Sequence, residues 1–257
     1  MEEELQKIYG IGPVVATDII LKLLKFGLID RDSTHLPNEE KLRHLLFDNR
    51  IFNDLPIAAQ VDILYHPIKD IPRDIIHVMD GELHKYLHGI KFEVAGSYRR
   101  GKLVSHDIDI VLVKGKKGAN IIDSFISAIN SRSNALHIYP PFARGEDKIS
   151  VLFELTVPIE LQFIPLIEDK MTTTKKVRMK VDIFLCEKKD FIYTLLFAIG
   201  SGAFNVRMRA VAKKRGYLLN QHGLFDRKTG KQIPLKNEKE LFKFLRMTYK
   251  TPEERVQ

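Results

Sequence analysis

Up to residue 90 apolar positions recur every three or four places; from residue 91 they fall on alternate places, so the chain passes from helix to strand. "GIGPVVATDIILKLLKFG" opens on a Gly-Pro pair and stops at Gly27, the punctuation of a helix. "PNEEKLRHLLFDN" and "PIAAQVDILYH" predict two more short helices. "PRDIIHVMDGELHKYLHGI" predicts another, with Ile75, Ile76, Met79, Leu83, Tyr86 and Leu87 on one stripe. Beyond it "KFEVAGS" and "DIDIVLV" read as strands, with the helix "ANIIDSFISAINSR" between strands. "KISVLFELT" puts Ile149, Val151, Phe153 and Leu155 on one face, and "PIELQF" alternates likewise. So does "KKVRMKVDIF", with Val177, Met179, Val181 and Ile183 inward, while "IEDKMTTTKK" is a polar loop. After Cys186 the pattern is helical again, followed by a hairpin around "NQHGLFDRKTGKQIPL". The helix "NEKELFKFLRM" has Asn237 as its cap and Glu240 at the capping-box position. The expected fold class is α+β: a helical part, then a mixed sheet with helices, then a mixed segment.

One interruption of the apolar pattern carries chemistry. In "GSYRRGKLVSHDIDIVLV" the strand period places Asp107 and Asp109 on one face and Ile108, Ile110 and Leu112 on the other. Carboxylates one strand residue apart stand roughly 7 Å apart at Cβ and repel unless a cation lies between them. A hard, oxygen-preferring dication suits that gap. In "VRMKVDIF", Asp182 shares the polar face with Arg178 and Lys180. Alone it reads as a surface residue; beside Asp107 and Asp109 it completes a cluster able to hold two divalent ions for phosphoryl transfer. Spacing leaves the adjacency of the two strands open.

Charge and composition narrow the partners. Lys plus Arg number 41 against 33 Asp plus Glu, a net charge of +8 that favours a polyanion. A single cysteine, Cys186, excludes a disulfide framework and a cysteine-rich zinc site, and its strand context makes it a small core residue. "MEEELQKIYG" has no apolar signal region. The apolar run "FIYTLLFAIGSGAF" is broken and too short to span a bilayer. A soluble intracellular protein with no membrane partner is expected.

Taken in order, "GIGP", "GSYRRG" with "DID", "VDIF", "GSGAFNVRMRA" and "EKELFKFLRMTYKTPEER" resemble the X-family DNA polymerases of the nucleotidyltransferase superfamily, over nearly the whole chain. The resemblance implies a palm with a mixed sheet at 67–188. A helix-hairpin-helix DNA-binding subdomain at 1–66 precedes it, and a mixed α/β subdomain at 189–257 that binds the nascent base pair follows. It implies template-directed filling of short gaps in DNA repair, with gapped or primer-template DNA and dNTP as partners, by a monomer. Asp107, Asp109 and Asp182 are then the catalytic residues and the ligands of two Mg²⁺ (or Mn²⁺) ions, with Asp182 helping to draw the proton from the primer 3′-hydroxyl.

Ser97 and Arg100 are implied to hold the β- and γ-phosphates, for which a hydroxyl and a guanidinium are well matched. Gly96, His106, Phe197, Gly200 and Asn205 complete the implied nucleotide site. Gly10, Gly12, Val14, Lys180 and Arg209 are implied DNA contacts, with a monovalent cation possible at the hairpin carbonyls. Arg99 stands as scaffold or DNA contact. "GIGP" alone fits an ordinary helix start equally well, and "KGKKG" and "KKR" are either solvated charge or phosphate contacts.

The chain also departs from its relatives. His106 stands where the beta and lambda branches have glycine; "HDID" and "HGLFD" look more like the mu and terminal-transferase branch. Phe197 and Ala198 replace Tyr-Phe of the beta and lambda branches, and Lys180 replaces an arginine of beta. Template-independent addition to 3′ ends is therefore the alternative enzyme reading, and a catalytically weak DNA-binding scaffold the non-enzymatic one. Repair members carry an amino-terminal lyase domain whose lysine forms a Schiff base. Only "MEEELQK" precedes the first hairpin here, so no lyase activity is expected of this chain.

Overall fold

The computed structural model describes residues 1–30, 37–65, 67–68, 70–115, 120–158 and 174–255. The chain divides into two compact units, 1–67 and 68–257.

The first unit is helical: α1 (Glu2–Gln6), α2 (Pro13–Lys25), α3 (Glu39–Leu45), α4 (Asn49–Phe52) and α5 (Ile57–Tyr65). Gly27, at φ +65°, ends α2 in a backbone shape that favours glycine. "PNEEKLRHLLFDN" forms α3 and then breaks, because the Asp48 carboxylate accepts the Arg50 N–H and starts α4. Leu5, Ile19, Leu23, Leu42, Leu46 and Ile63 form the centre of its core. The buried Asp62 carboxylate meets Arg43 at 2.7 Å, so neither charge lies unpaired in the interior.

The second unit holds β1 (Ile71–Pro72), α6 (Arg73–Tyr86), β2 (Phe92–Val94), α7 (Gly96–Arg99), β3 (Val104–Ser105), β4 (Ile108–Val113), α8 (Ile121–Asn130), β5 (Leu136–Ile138), β6 (Ala143–Arg144), β7 (Lys148–Pro158) and β8 (Thr174–Cys186). It continues with α9 (Phe191–Ile199), α10 (Gly202–Lys214), β9 (Tyr217–Asn220), β10 (Gly223–Asp226), α11 (Glu238–Phe244) and a 3₁₀ turn, Pro252–Glu254. A mixed sheet runs β2-β4-β8-β7-β5, with β6 on β7; β4 and β8 are parallel and their other pairings antiparallel.

The alternation read in the sequence is what this sheet buries. Ile108, Ile110 and Leu112 join Ile149, Val151, Phe153, Val181 and Ile183 in one core with α6 and α8. Val111, on the opposite face of β4, packs with Phe191, Leu195 and Ile199 of α9 and with Cys186, a buried core thiol as its context implied. A further core joins α9, α10, the β9–β10 hairpin and α11. Asn237 caps α11 by accepting the Glu240 N–H, while the Glu240 carboxylate turns to Lys236 N–H rather than to the cap residue. Arg255, with no exposed surface, pairs with Glu238 at 2.8 Å, and its carbonyl accepts the Ser201 N–H. No helix among the described residues is long and apolar enough to cross a membrane.

One reading of the sheet changes. "IEDKMTTTKK" is not a loop throughout, since Thr174, Lys175 and Lys176 belong to β8, where they pair with β7 as far as Pro158. Its first part, the strand expected in "PIELQF" beyond Pro158, and most of "KGKKG" lie outside the described residues. The extension is tied by charge: the buried Glu154 of β7 accepts from Lys176 at 2.7 Å, Arg178 at 2.8 Å and Tyr139 at 3.1 Å. Burial pushes the Glu154 carboxyl up, but these donors outweigh it and hold the group at about 2.

Because its folded pKa is depressed, Glu154 stabilises the sheet above its ordinary range near 4.5, and that contribution is lost as pH falls toward 2. Glu154→Gln is expected to cost about 1 kcal/mol at neutral pH, given the exposure of its basic partners. Thermal unfolding should show the gap between variant and wild type closing as pH drops below 4.5; a gap constant with pH would remove the charge from the explanation.

Candidate active site

Strand pairing builds the site. Asp109 on β4 lies beside Asp182 on β8 in the parallel ladder, and Asp107 stands just ahead of β4, two residues before Asp109. Carboxylate oxygens of the three lie within 4.8 Å of one another. Burial first, then the charges of Asp107 and Asp182, push the Asp109 carboxyl up to about 7, with Lys148 and Arg100 acting in the opposite sense. Three crowded carboxylates, all hard oxygen donors, make a set that a divalent cation would balance.

The turn before β4 is shaped around Asp109. The Ala95 N–H donates to the Asp109 carbonyl at 2.7 Å. Gly96 follows at φ +60°, and a Cβ built there would sit 2.5 Å from Asp109 Oδ2. Only glycine fits both the backbone and the carboxylate. On α7 the Ser97 hydroxyl donates to Ser105 Oγ at 2.7 Å, and Arg99 pairs with Glu93 at 2.7 Å. The Arg100 guanidinium donates to the Ile199 carbonyl; burial pulls its pKa down, partly offset by Asp109 and Asp107. His106 is exposed, with Nδ1 2.8 Å from Asp70 Oδ1.

Ile199 ends α9, so Arg100 reaches the segment that follows the sheet. A Cβ on Gly200, at φ +70°, would approach the Arg100 guanidinium to 3.2 Å. Ser201 caps α10 by accepting the Phe204 N–H. From α10, Asn205 donates its side-chain amide to the Phe197 carbonyl at 2.9 Å, and the Arg209 guanidinium lies 5.4 Å from the Phe197 ring centre. The i, i+4 pair thus shares one face and converges on Phe197. Ala198 is buried beside it.

Lys180 stands on β8 two residues before Asp182, with the same facing. In the first unit Gly10 has φ +86°, with Ala58 Cβ only 2.9 Å from where its own Cβ would be, Gly12 is the N-cap of α2, and Val14 is 84% exposed.

Sequence reasoning missed two residues of β7. Ser150 lies opposite Asp182 and donates to its Oδ1 at 2.6 Å, while Lys148 reaches Oδ2 at 2.6 Å. The alternation of "KISVLFELT" already puts Lys148 and Ser150 on the face away from Ile149 and Val151. Only the register with β8, absent from any local pattern, sets them against Asp182.

Gly96→Ala is expected to destabilise the protein by more than the 1–2 kcal/mol or so that a left-handed backbone costs an alanine. Gly89→Ala is the control, since Gly89 has φ +80° but nothing within 4 Å of its Cβ position. Equal shifts in thermal unfolding would show that Asp109 does not require the missing side chain.

Comparison with known proteins gives these features a common source. Residues 70–137 match the DNA polymerase beta palm, and residues 194–256 match the DNA polymerase beta thumb. Repair DNA polymerase X of African swine fever virus (a Warthog/Namibia isolate) is 26% identical over 189 residues, which cover 74% of this chain and 94% of that protein. DNA polymerase lambda of Arabidopsis thaliana is 25% identical over an alignment covering 97% of this chain and 45% of the plant protein. The ternary P/T complex structure of Leishmania infantum polymerase beta superposes with a TM-score of 0.72 at 23% identity, covering 100% of this chain and 98% of that one. The mixed sheet, the palm and thumb matches and these relatives together identify the chain as a member of the X family of DNA polymerases.

Proposed function

We propose that this chain is a DNA-directed DNA polymerase that fills short gaps in DNA repair, joining dNTP to a primer 3′-hydroxyl by two-metal nucleotidyl transfer. The observation that carries the reading is the carboxylate cluster of Asp107, Asp109 and Asp182, the last two paired in register. Their all-oxygen donor set suits Mg²⁺, with Mn²⁺ as a substitute. Divalent ions held there would neutralise charge developing on the attacking and leaving oxygens.

The protein's own groups do the rest. The Asp182 carboxylate draws the proton from the 3′-hydroxyl. Ser97 and Arg100, now bonded to Ser105 and the Ile199 carbonyl, exchange those acceptors for the β- and γ-phosphates. Gly96 lets the backbone come close to the triphosphate; His106, Phe197, Gly200 and Asn205 line the nucleotide. Arg209 and Lys180 contact DNA, and Gly10, Gly12 and Val14 offer a second DNA contact through the hairpin before α2, where a monovalent cation can bind the carbonyls. The working form is a monomer.

Two measurements test the proposal. Asp182→Asn is expected to abolish nucleotide addition on one-nucleotide-gapped DNA while leaving DNA affinity nearly intact, because the change removes charge from the carboxylate cluster and not from the phosphate contacts. Turnover at the wild-type rate in saturating Mg²⁺ would defeat the assignment. Running the assay with and without a template strand separates gap filling from template-independent addition.

DNA affinity is also expected to fall steeply with salt, as the net charge of +8 implies. On duplex DNA the log–log slope is about −0.9 per neutralised phosphate. Fluorescence anisotropy across a salt series reads it, and a flat response would exclude DNA as the main partner.

A further inference from the structure

We propose that Ser150 is a positioning residue for the transfer reaction: its hydroxyl sets the orientation of the Asp182 carboxylate and thereby the affinity of the aspartate cluster for divalent cations. This rests on the reading of Asp182 as a metal ligand given above.

The strand registers place Asp182 between two different neighbours. Asp109 is its partner across the parallel ladder with β4, and Ser150 its partner across the antiparallel ladder with β7. Side chains at paired positions emerge on the same face, so Asp182 has a carboxylate on one side and a hydroxyl on the other. At 2.6 Å the Ser150 bond to Oδ1 has the length of a charge-assisted O–H···O⁻ bond. Ser150 is only 7% exposed, so water competes little for its hydroxyl.

The two partners of the Asp182 carboxylate differ in kind. Lys148, 2.6 Å from Oδ2, has a long side chain that is 49% exposed. It can withdraw into solvent when another cation arrives. Ser150 is short and buried and has no such route. One oxygen is therefore anchored to β7, and the other is open to exchange. Without the anchor, Asp182 is free to swing both oxygens onto Lys148 and away from Asp109. Hydrogen-bond partners that orient a metal-ligating carboxylate change metal affinity or activity by about 10–100-fold.

Ser150→Thr and Ser150→Val test the idea, since threonine and valine share shape and strand preference and differ in the hydroxyl. Mn²⁺ binding to the DNA-free protein, followed by electron paramagnetic resonance, is expected to be about tenfold weaker for the valine variant than for the threonine variant. The kcat of the valine variant is expected to be lower than that of the threonine variant, with KM for dNTP little different between the two. Equal Mn²⁺ binding by the pair would overturn the proposal. Should the added methyl prevent folding, Ser150→Ala serves in their place, and wild-type Mn²⁺ affinity there has the same meaning. Asp182→Asn in parallel separates the two levels: if it alone loses Mn²⁺, the role of Ser150 fails; if it also binds normally, the reading of the carboxylate cluster fails.

Discussion

The structure turns on the repulsion among three carboxylates that strand pairing holds within 4.8 Å of one another. At an effective dielectric of about 20, two charges at that distance repel by roughly 3 kcal/mol. Burial first, and this repulsion second, push the Asp109 carboxyl up to about 7. What holds the strands in place lies on the reverse of the same sheet. Ile108, Ile110, Leu112, Val181 and Ile183 are buried there, each contributing about 1.5–3 kcal/mol. The apolar face outweighs the strain on the polar one, so the sheet can hold like charges together before any cation is bound.

The groups around the cluster follow from that tension. Gly96 gives up a side chain so that Asp109 can come close, and Arg100 brings a positive charge from the neighbouring turn. Lys148 and Ser150 bring a cation and a hydroxyl from β7. Most of these partners are exchangeable. Arg100 bonds a carbonyl rather than a carboxylate, and the Lys148 side chain is half in solvent.

Local pattern made β2, β4, β7 and β8 and their inward residues legible, together with α6 and the motif that carries Asp107 and Asp109, because period and spacing are properties of a short stretch; the two- and three-residue strands β1, β3, β5 and β6 are too short to show a period. Pairing is not a local property. The polar letters of Thr174–Lys176 suggested a loop, yet β7 draws them into β8, where Glu154 meets the charge of Lys176 and Arg178. Lys148 and Ser150 escaped notice for the same reason, since their part depends on a partner more than thirty residues away. The short helix read in "PNEEKLRHLLFDN" is α3; what went unread is the short α4 after it, which starts where the Asp48 carboxylate accepts the Arg50 N–H.

Strand β7 serves two masters on alternate residues: Ile149, Val151 and Phe153 build the core, while Lys148 and Ser150 attend Asp182. A one-residue insertion or deletion in it would turn every side chain over. Isoleucine or valine would then face the carboxylates, and a hydroxyl or an ammonium would enter the apolar layer. Such a lesion could not be repaired by a single substitution, so this strand can evolve by exchange of letters but hardly by a change of length.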